Sequence, residues 1–195
     1  MRVLGIDPGS RRTGYGVVER RGNQLICVTH GVVTPRPGLD LAGRLLAIAD
    51  RIEAVIAETG PDAVAVEEAF YHENVRSTLV LGHVRGALLV AAARRGVEVA
   101  EYSPREIKLA LVGSGAASKD QVNFMIRRLL SLKGDVALDA SDALAGAVCH
   151  LQRARLAAPA RAMSDAARRL EALLTAKGGR VIRRRTAASA QGPAR

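Results

Sequence analysis

The chain has 195 residues, 48% of them hydrophobic, and a formal net charge of +10 at pH 7. This length and composition fit one domain with a full apolar core plus an extension. No uncharged apolar run is long enough to cross a bilayer, and the N-terminus leads into a predicted strand rather than a signal peptide. We therefore expect a cytoplasmic protein without a membrane span.

The positive charge is concentrated near the C-terminus. Residues 1–150 hold 18 Lys and Arg against 17 Asp and Glu, whereas residues 151–195 hold 11 against 2. We predict a folded domain over 1–155 and a basic tail over 156–195, with room for a short helix at 164–177 before a disordered end. Such a tail attracts a polyanion without reading its sequence, although a purely solubilising role would explain the same charge.

The predicted elements are those of a mixed α/β domain. Three strands joined by short turns come first, helices and strands then alternate, and three helices follow. Short turns imply antiparallel neighbours, and helical crossovers imply parallel ones. The predicted strands are 2–7, 15–19, 24–33, 63–66 and 97–102, and the predicted helices are 39–59, 75–95, one from 104, 119–132 and 139–155. We predict a five-stranded mixed sheet with helices on both faces.

Four acids lie at the ends of these elements. Asp7 ends the first strand, before Pro8-Gly9, and Glu67 follows the fourth strand. Asp139 and Asp142 are three residues apart, so they share one face of the last helix. The first and fourth strands are predicted to be parallel neighbours, and their carboxyl ends meet where open α/β sheets place their sites. The four carboxylates are predicted to converge, although each alone would fit a turn, a surface acid or, for Asp139, an N-cap.

Converging carboxylates require cations. Two unit charges about 4 Å apart repel by roughly 4 kcal/mol at an effective dielectric constant of about 20. Hard divalent ions such as Mg²⁺ or Mn²⁺ suit an all-oxygen ligand set. A pair of such ions can activate a water and stabilise the leaving oxygen of a phosphodiester. The acids therefore favour a metal-dependent nuclease with two ions in each site.

Four motifs give the sequence a family resemblance. They are I-D-P-G-S-R-R-T-G-Y-G at 6–16, V-E-E-A-F at 66–70, L-G-H-V-R-G at 81–86 and D-A-S-D-A-L-A at 139–145. D-P-G alone would be a weak signal, but the first and last motifs in this order and spacing are specific. Together the motifs resemble RuvC-type Holliday-junction resolvases of the RNase H-like superfamily.

The resemblance implies a structure-selective endonuclease that resolves four-way DNA junctions in recombination and repair. It implies paired nicks with 5′-phosphate ends, Mg²⁺ or Mn²⁺ as cofactor, and a homodimer. Gly82 and Gly86, one turn apart on the second helix, fit a dimer face or tight internal packing, and we favour the dimer. A RuvA-RuvB branch-migration complex is a candidate partner.

The resemblance also assigns residues. The catalytic and metal-binding acids would be Asp7, Glu67, Asp139 and Asp142. Phe70 resembles the aromatic residue that meets unpaired bases at the crossover. The full set of candidate DNA contacts is Phe70, Tyr71, Arg76, Lys108 and Lys119. Many relatives carry Gln where this chain has Glu68, and the effect of that charge stays open.

Two other functions fit parts of the sequence. A non-catalytic DNA-binding protein could use the basic tail and keep the acids for structure. An actin-like protein of phosphate chemistry also begins with a strand, an Asp and a Gly, but that class needs a second phosphate loop and a longer chain. Metal-dependent cleavage of synthetic four-way junctions distinguishes the three functions.

Overall fold

The computed structural model describes residues 1–68 and 75–155. Tyr71 and Phe70 therefore lie outside the described residues, as does the predicted tail. The strands are β1 Arg2–Asp7, β2 Thr13–Arg21, β3 Gln24–Val33, β4 Ala63–Glu67 and β5 Glu98–Tyr102. The helices are α1 Leu41–Thr59, α2 Val75–Arg94, α3 Pro104–Val112, α4 Lys119–Leu129 and α5 at 138–155, where the description ends.

The sheet has the predicted mixed topology, with the order β3-β2-β1-β4-β5. β1 pairs antiparallel with β2 and parallel with β4, and β4 pairs parallel with β5. The first apolar strand of the sequence is thus the central strand, enclosed on both sides. The predicted α/β fold class is confirmed.

Two apolar clusters lie on opposite faces of the sheet. On one face, side chains such as Leu4 and Ile6 of β1 pack with α1 and α2. On the other, Val3 of β1 and Ala65 of β4 pack with α3, α4 and α5. Alternate residues of β1 therefore point into separate cores, as the period of a strand requires.

Capping boxes fix the starts of α3 and α4. The Ser103 hydroxyl accepts from the Glu106 backbone N–H at 3.3 Å, and the Glu106 carboxylate accepts from the Ser103 N–H at 3.0 Å. Ser118 and Gln121 repeat the arrangement at 3.2 and 2.9 Å. These reciprocal bonds satisfy amide groups that a helix start leaves unpaired.

Four helix ends differ from the prediction: α1 begins at Leu41 rather than 39, α2 ends at Arg94 rather than 95, and the end of α4 and the start of α5 also differ. α4 ends at Leu129 rather than 132, since Ser131 has a φ of 50°, a left-handed conformation that interrupts the helix. α5 already includes residue 138, and the Ser141 N–H donates to the Ala137 carbonyl at 2.9 Å. Asp139 therefore lies within the first turn, and its interpretation as an N-cap is wrong.

α2 is unusually apolar for a surface helix. Its most apolar stretch has a mean hydropathy of 1.3, so by length and composition alone this 20-residue helix could cross a membrane. It packs instead against α1 and β5. Within it, the Arg85 guanidinium donates twice to the Glu101 carboxylate of β5, at 2.5 Å each. These contacts make α2 part of the folded domain.

Candidate active site

Two of the four acids meet at the carboxyl edge of the sheet. Asp7 is the last residue of β1 and Glu67 is the last residue of β4. The parallel register aligns Ile6 with Val66, so the two carboxylates follow paired positions. Backbone pairing alone thus brings together two acids that are 60 residues apart in the sequence.

α5 supplies the other two acids because glycines let it lie directly on the sheet. A Cβ added to Gly5 of β1 would overlap the carbonyl oxygen of Ala143, and one added to Gly14 of β2 would overlap that of Asp139. Gly14 is the cross-strand partner of Asp7. The first turn of α5, with Asp139, therefore sits beside the end of β1.

The electrostatics of the site reflect this crowding. Burial raises the pKa of Asp7 to about 7, and repulsion from Glu67, Asp142 and Asp139 adds to the effect. The pKa of Glu67 is also raised to about 7, first by burial and then by Asp142. The structure thus brings the four acids within mutual electrostatic range, and their catalytic role stays a prediction.

Basic side chains offset part of this negative charge. Lys119, at the start of α4, lies 3.4 Å from Asp142, and this contact raises the pKa of the lysine. Lys108 on α3 is close enough to lower the pKa of Glu67. Both lysines line a cavity of about 170 Å³, whose walls are Glu67, Pro104, Ile107, Lys108, Lys119, Val122, Asp142 and Ala145. The predicted DNA-contacting lysines therefore lie beside the predicted catalytic acids.

An ion pair that the sequence did not reveal involves Asp139. Arg12, in the turn between β1 and β2, donates from Nε to Asp139 at 2.7 Å. The two residues are 127 positions apart, and nothing in the spacing of a turn arginine and a helix aspartate predicts their contact. The acids of α5 are thus each paired with a cation, Asp139 with Arg12 and Asp142 with Lys119.

The remaining candidates lie on α2 and after β4, or fall outside the described residues. Arg76 is exposed near the start of α2. The backbone N–H of Glu68 donates to the Tyr102 carbonyl at 2.9 Å, and its carboxylate acts electrostatically on Arg85. Glu68 therefore faces α2, toward Arg85.

The donor set fits a hard divalent cation. Four carboxylates offer only oxygen ligands, and burial together with repulsion from the other acids raises the pKa values of Asp7 and Glu67 to about 7. Within residues 1–68 and 75–155, no three His, Cys, Asp or Glu side chains are close enough to enclose an ion as they stand. Asp139 and Asp142 each contact a basic side chain, so a cation bound by either carboxylate would compete with that ion pair.

We expect metal-free protein to lose stability as the pH rises from about 4 to about 7. Asp7 and Glu67 have native pKa values of about 7, above the unfolded values near 4, so the native state binds more protons in this interval. The free energy of unfolding must then fall with rising pH. Melting temperatures in EDTA at pH 5 and pH 8 measure this change.

The control for this prediction is the double variant Asp7→Asn, Glu67→Gln. Because other groups titrate in the same range, the informative quantity is the difference between the two pH profiles. The melting temperature of the variant should rise relative to that of the wild type as the pH rises. Added Mg²⁺ should stabilise the wild type more at pH 8 than at pH 5. If the melting temperatures of the variant and the wild type change with pH in parallel, Asp7 and Glu67 do not have the raised pKa values given above.

Comparison with known proteins identifies the family. The family model described as crossover junction endodeoxyribonuclease RuvC matches residues 3–150. A relative of that name from Pelobacter propionicus is 54% identical over 151 residues, covering 77% of this chain and 86% of the relative. Another from Caulobacter vibrioides is 51% identical over 149 residues, covering 76% and 88%.

A solved structure supports the same assignment. The T. thermophilus RuvC in complex with a Holliday junction substrate superposes with a TM-score of 0.77 at 38% identity, covering 80% of this chain and 96% of that one. The yeast mitochondrial Holliday junction resolvase shares the fold at a TM-score of 0.56 and 15% identity. The predicted RNase H-like resolvase fold is confirmed, and the chain belongs to the RuvC family of crossover junction endodeoxyribonucleases.

Proposed function

We propose that this chain cuts four-way DNA junctions and that Asp7, Glu67, Asp139 and Asp142 perform the cleavage. The observation that carries the proposal is the meeting of these four carboxylates at one edge of the sheet, beside two lysines. The chain is an endonuclease by family, and the T. thermophilus relative was solved with a Holliday junction. Because the chain belongs to this family of endonucleases, we favour cleavage over the two alternative functions, a non-catalytic DNA-binding protein and an actin-like phosphate protein.

The four carboxylates would hold Mg²⁺ or Mn²⁺, with two ions in each site. When bound, the ions would activate the attacking water and stabilise the leaving oxygen of the phosphodiester. The strand acids Asp7 and Glu67 are half-buried and fixed by the sheet, so they orient the site. Lys108 and Lys119 would contact the phosphates that flank the cut. The products would carry 5′-phosphate and 3′-hydroxyl ends.

The experiment is a nicking assay on synthetic four-way junctions and on matched linear duplexes. With Mg²⁺ or Mn²⁺, the junction should be cut at paired positions in two strands of like polarity, and EDTA should stop the reaction. Linear duplex should stay intact under the same conditions. Binding of junctions without cleavage at any metal concentration would support a DNA-binding role instead.

We also propose roles for residues outside the site, a location in the cell and a partner. We expect Phe70 to meet unpaired bases at the crossover, with Tyr71 and Arg76 nearby. The protein would work in the cytoplasm, with a RuvA-RuvB complex as the candidate partner. These assignments come from the family resemblance and from the position of residues 69–74 directly after β4 and Glu68.

We propose that the protein is a homodimer joined through α2. Three apolar side chains on one face of that helix are more than half exposed: Val75, Leu79 and Val90. Gly82 and Gly86 lie on the same face, and among the described residues no atom beyond their chain neighbours and the local helix backbone lies within 4 Å of a Cβ built on either. This face supports contact with a second copy rather than tight packing within the chain, and a two-fold junction needs two equivalent sites.

Leu79→Asp should convert the dimer to a monomer, because a charge would be buried at the centre of the α2 face. Leu46→Asp is the matched control, since Leu46 on α1 is 62% exposed against 61% for Leu79. Analytical ultracentrifugation should give a monomer for the first variant and a dimer for the second. The monomeric variant should nick one strand of a junction where the dimer nicks two. A dimeric Leu79→Asp protein would exclude this face.

We propose that residues 156–195 add affinity for DNA without adding selectivity. They follow the domain directly and contribute most of the net positive charge of the chain. Truncation after Arg155 should weaken binding to junctions and linear duplex alike and reduce the slope of log K against log salt, because fewer counterions are released. Nicking chemistry and melting temperature should persist. Loss of junction preference alone would contradict the proposal.

A further inference from the structure

The turn between β1 and β2 is closed by contacts of its own. Thr13 is fully buried, and its hydroxyl donates to the Gly9 carbonyl at 2.6 Å. The same oxygen accepts from the Gly9 N–H at 3.4 Å. A Cβ on Gly9 would overlap the carbonyl oxygen of Arg12, so the turn depends on that glycine. Its backbone is thus held without help from the Arg12 side chain.

This turn directs Arg12 onto one of the four acids. The Arg12 Nε to Asp139 Oδ2 distance is 2.7 Å, the length of a strong charge-assisted hydrogen bond. The arginine side chain is 57% exposed and the aspartate 30%, so the pair can open without disturbing the core. A guanidinium stays charged at every accessible pH. Asp139 is therefore occupied by a permanent cation in the DNA-free protein.

We propose that Arg12 competes with the divalent cation for Asp139 and so lowers the affinity of the DNA-free protein for metal. The inference rests on the proposed metal site. An Asp139 oxygen that accepts from Arg12 is not free to ligate, and loading the site includes breaking this pair.

DNA offers Arg12 another partner. Its exposed guanidinium lies at the edge of the site, and a phosphate can replace a carboxylate as the acceptor of its hydrogen bonds. Transfer of Arg12 to a phosphate releases Asp139 to the metal. Binding of DNA and of the cation would then favour each other, since coupling between two sites is reciprocal. The site would load fully only with substrate present.

The test measures Mn²⁺ binding to DNA-free protein by electron paramagnetic resonance at about 0.15 M salt, where charges further apart than about 8 Å are screened. Wild type, Arg12→Ala, Arg12→Gln and Arg11→Ala are compared. Arg11 is the exposed neighbour of Arg12 and is not an observed partner of Asp139. Arg11→Ala therefore removes the same charge without breaking the ion pair. Both Arg12 variants should bind Mn²⁺ about two- to fivefold more tightly, the range expected for an exposed ion pair, and Arg11→Ala should match the wild type.

Three results would overturn the inference. Equal affinity in the wild type and both Arg12 variants would show that the pair does not compete. Equal tightening in Arg11→Ala would show a general effect of positive charge. If the wild type binds no Mn²⁺, the proposed metal site itself is wrong, and this outcome is distinct from the other two. Melting curves without metal confirm that each variant is folded.

Discussion

Asp7→Asn should bind four-way junctions as well as the wild type or better, and should nick them more than about a hundredfold more slowly. The amide keeps the size of the side chain but removes the charge that would hold a cation. Changes to outer partners of a metal ligand already cost about 10–100-fold, so loss of a ligand should cost more. Removing negative charge beside DNA does not weaken binding. Single-turnover nicking in Mg²⁺ and Mn²⁺, together with gel-shift titration, measures both quantities.

The same substitution should stabilise the protein at neutral pH. The pKa of Asp7 is raised from 3.8 to about 7, so its charged form is disfavoured in the native state. Removing the charge should add about 1–3 kcal/mol to the free energy of unfolding at pH 8 without metal. A variant that is more stable but inactive separates a catalytic acid from a structural one, because loss of a structural acid would lower stability.

Asp50→Asn is the matched control. Asp50 is an exposed acid on α1, on the opposite face of the sheet from α5. The Asp50→Asn protein should therefore nick and bind junctions as the wild type does. Glu67→Gln and Asp139→Asn should behave like Asp7→Asn. Asp142→Asn should have the smallest effect of the four if Asp142 acts mainly through Lys119, its partner at 3.4 Å. Normal nicking by Asp7→Asn would refute the assignment of the site.

The sequence predicted the sheet well because its signals are local. Apolar runs and short turns defined the five strands, and the helical crossovers between them fixed which neighbours are parallel. The capping boxes at Ser103 and Ser118 involve four residues each, so the local sequence alone specifies them. The end of α4 was misplaced because the left-handed Ser131 has no comparable signal; most residues at such positions are Gly or Asn.

The site was harder to predict where it depends on contacts between distant segments. The four acids could be proposed from their places at element ends. The pairing of Arg12 with Asp139 could not, since it depends on how closely α5 approaches the first turn of the sheet. That approach in turn depends on Gly5, inside the first predicted strand, and on Gly14, which the prediction placed in the turn before the second strand. A glycine inside a strand pattern is nevertheless a known sign of a close neighbour.

Gly5→Ala should lower the free energy of unfolding by about 2–4 kcal/mol. A methyl group at this position would overlap the Ala143 carbonyl oxygen and approach the Ala147 amide nitrogen, so backbone rather than a flexible side chain must move. Overpacking of a rigid core typically costs about 1–3 kcal/mol, and displacement of a whole helix lies at the upper end. Because α5 holds Asp139 and Asp142, nicking should fall as well, even in protein that remains folded.

Gly146→Ala provides the matched control for this prediction, on the other side of the same contact. Gly146 lies in α5, and a Cβ there would meet nothing nearer than the Ala65 carbonyl oxygen at 3.9 Å, an ordinary van der Waals distance. Alanine is the better helix former by about 1 kcal/mol, so this variant should be as stable as the wild type or more so. Urea unfolding of the two variants compares one methyl group on each side of the interface. If Gly5→Ala proves as stable as Gly146→Ala, α5 does not lie as close to β1 as the structure places it, and the position of Asp139 beside Asp7 loses its support.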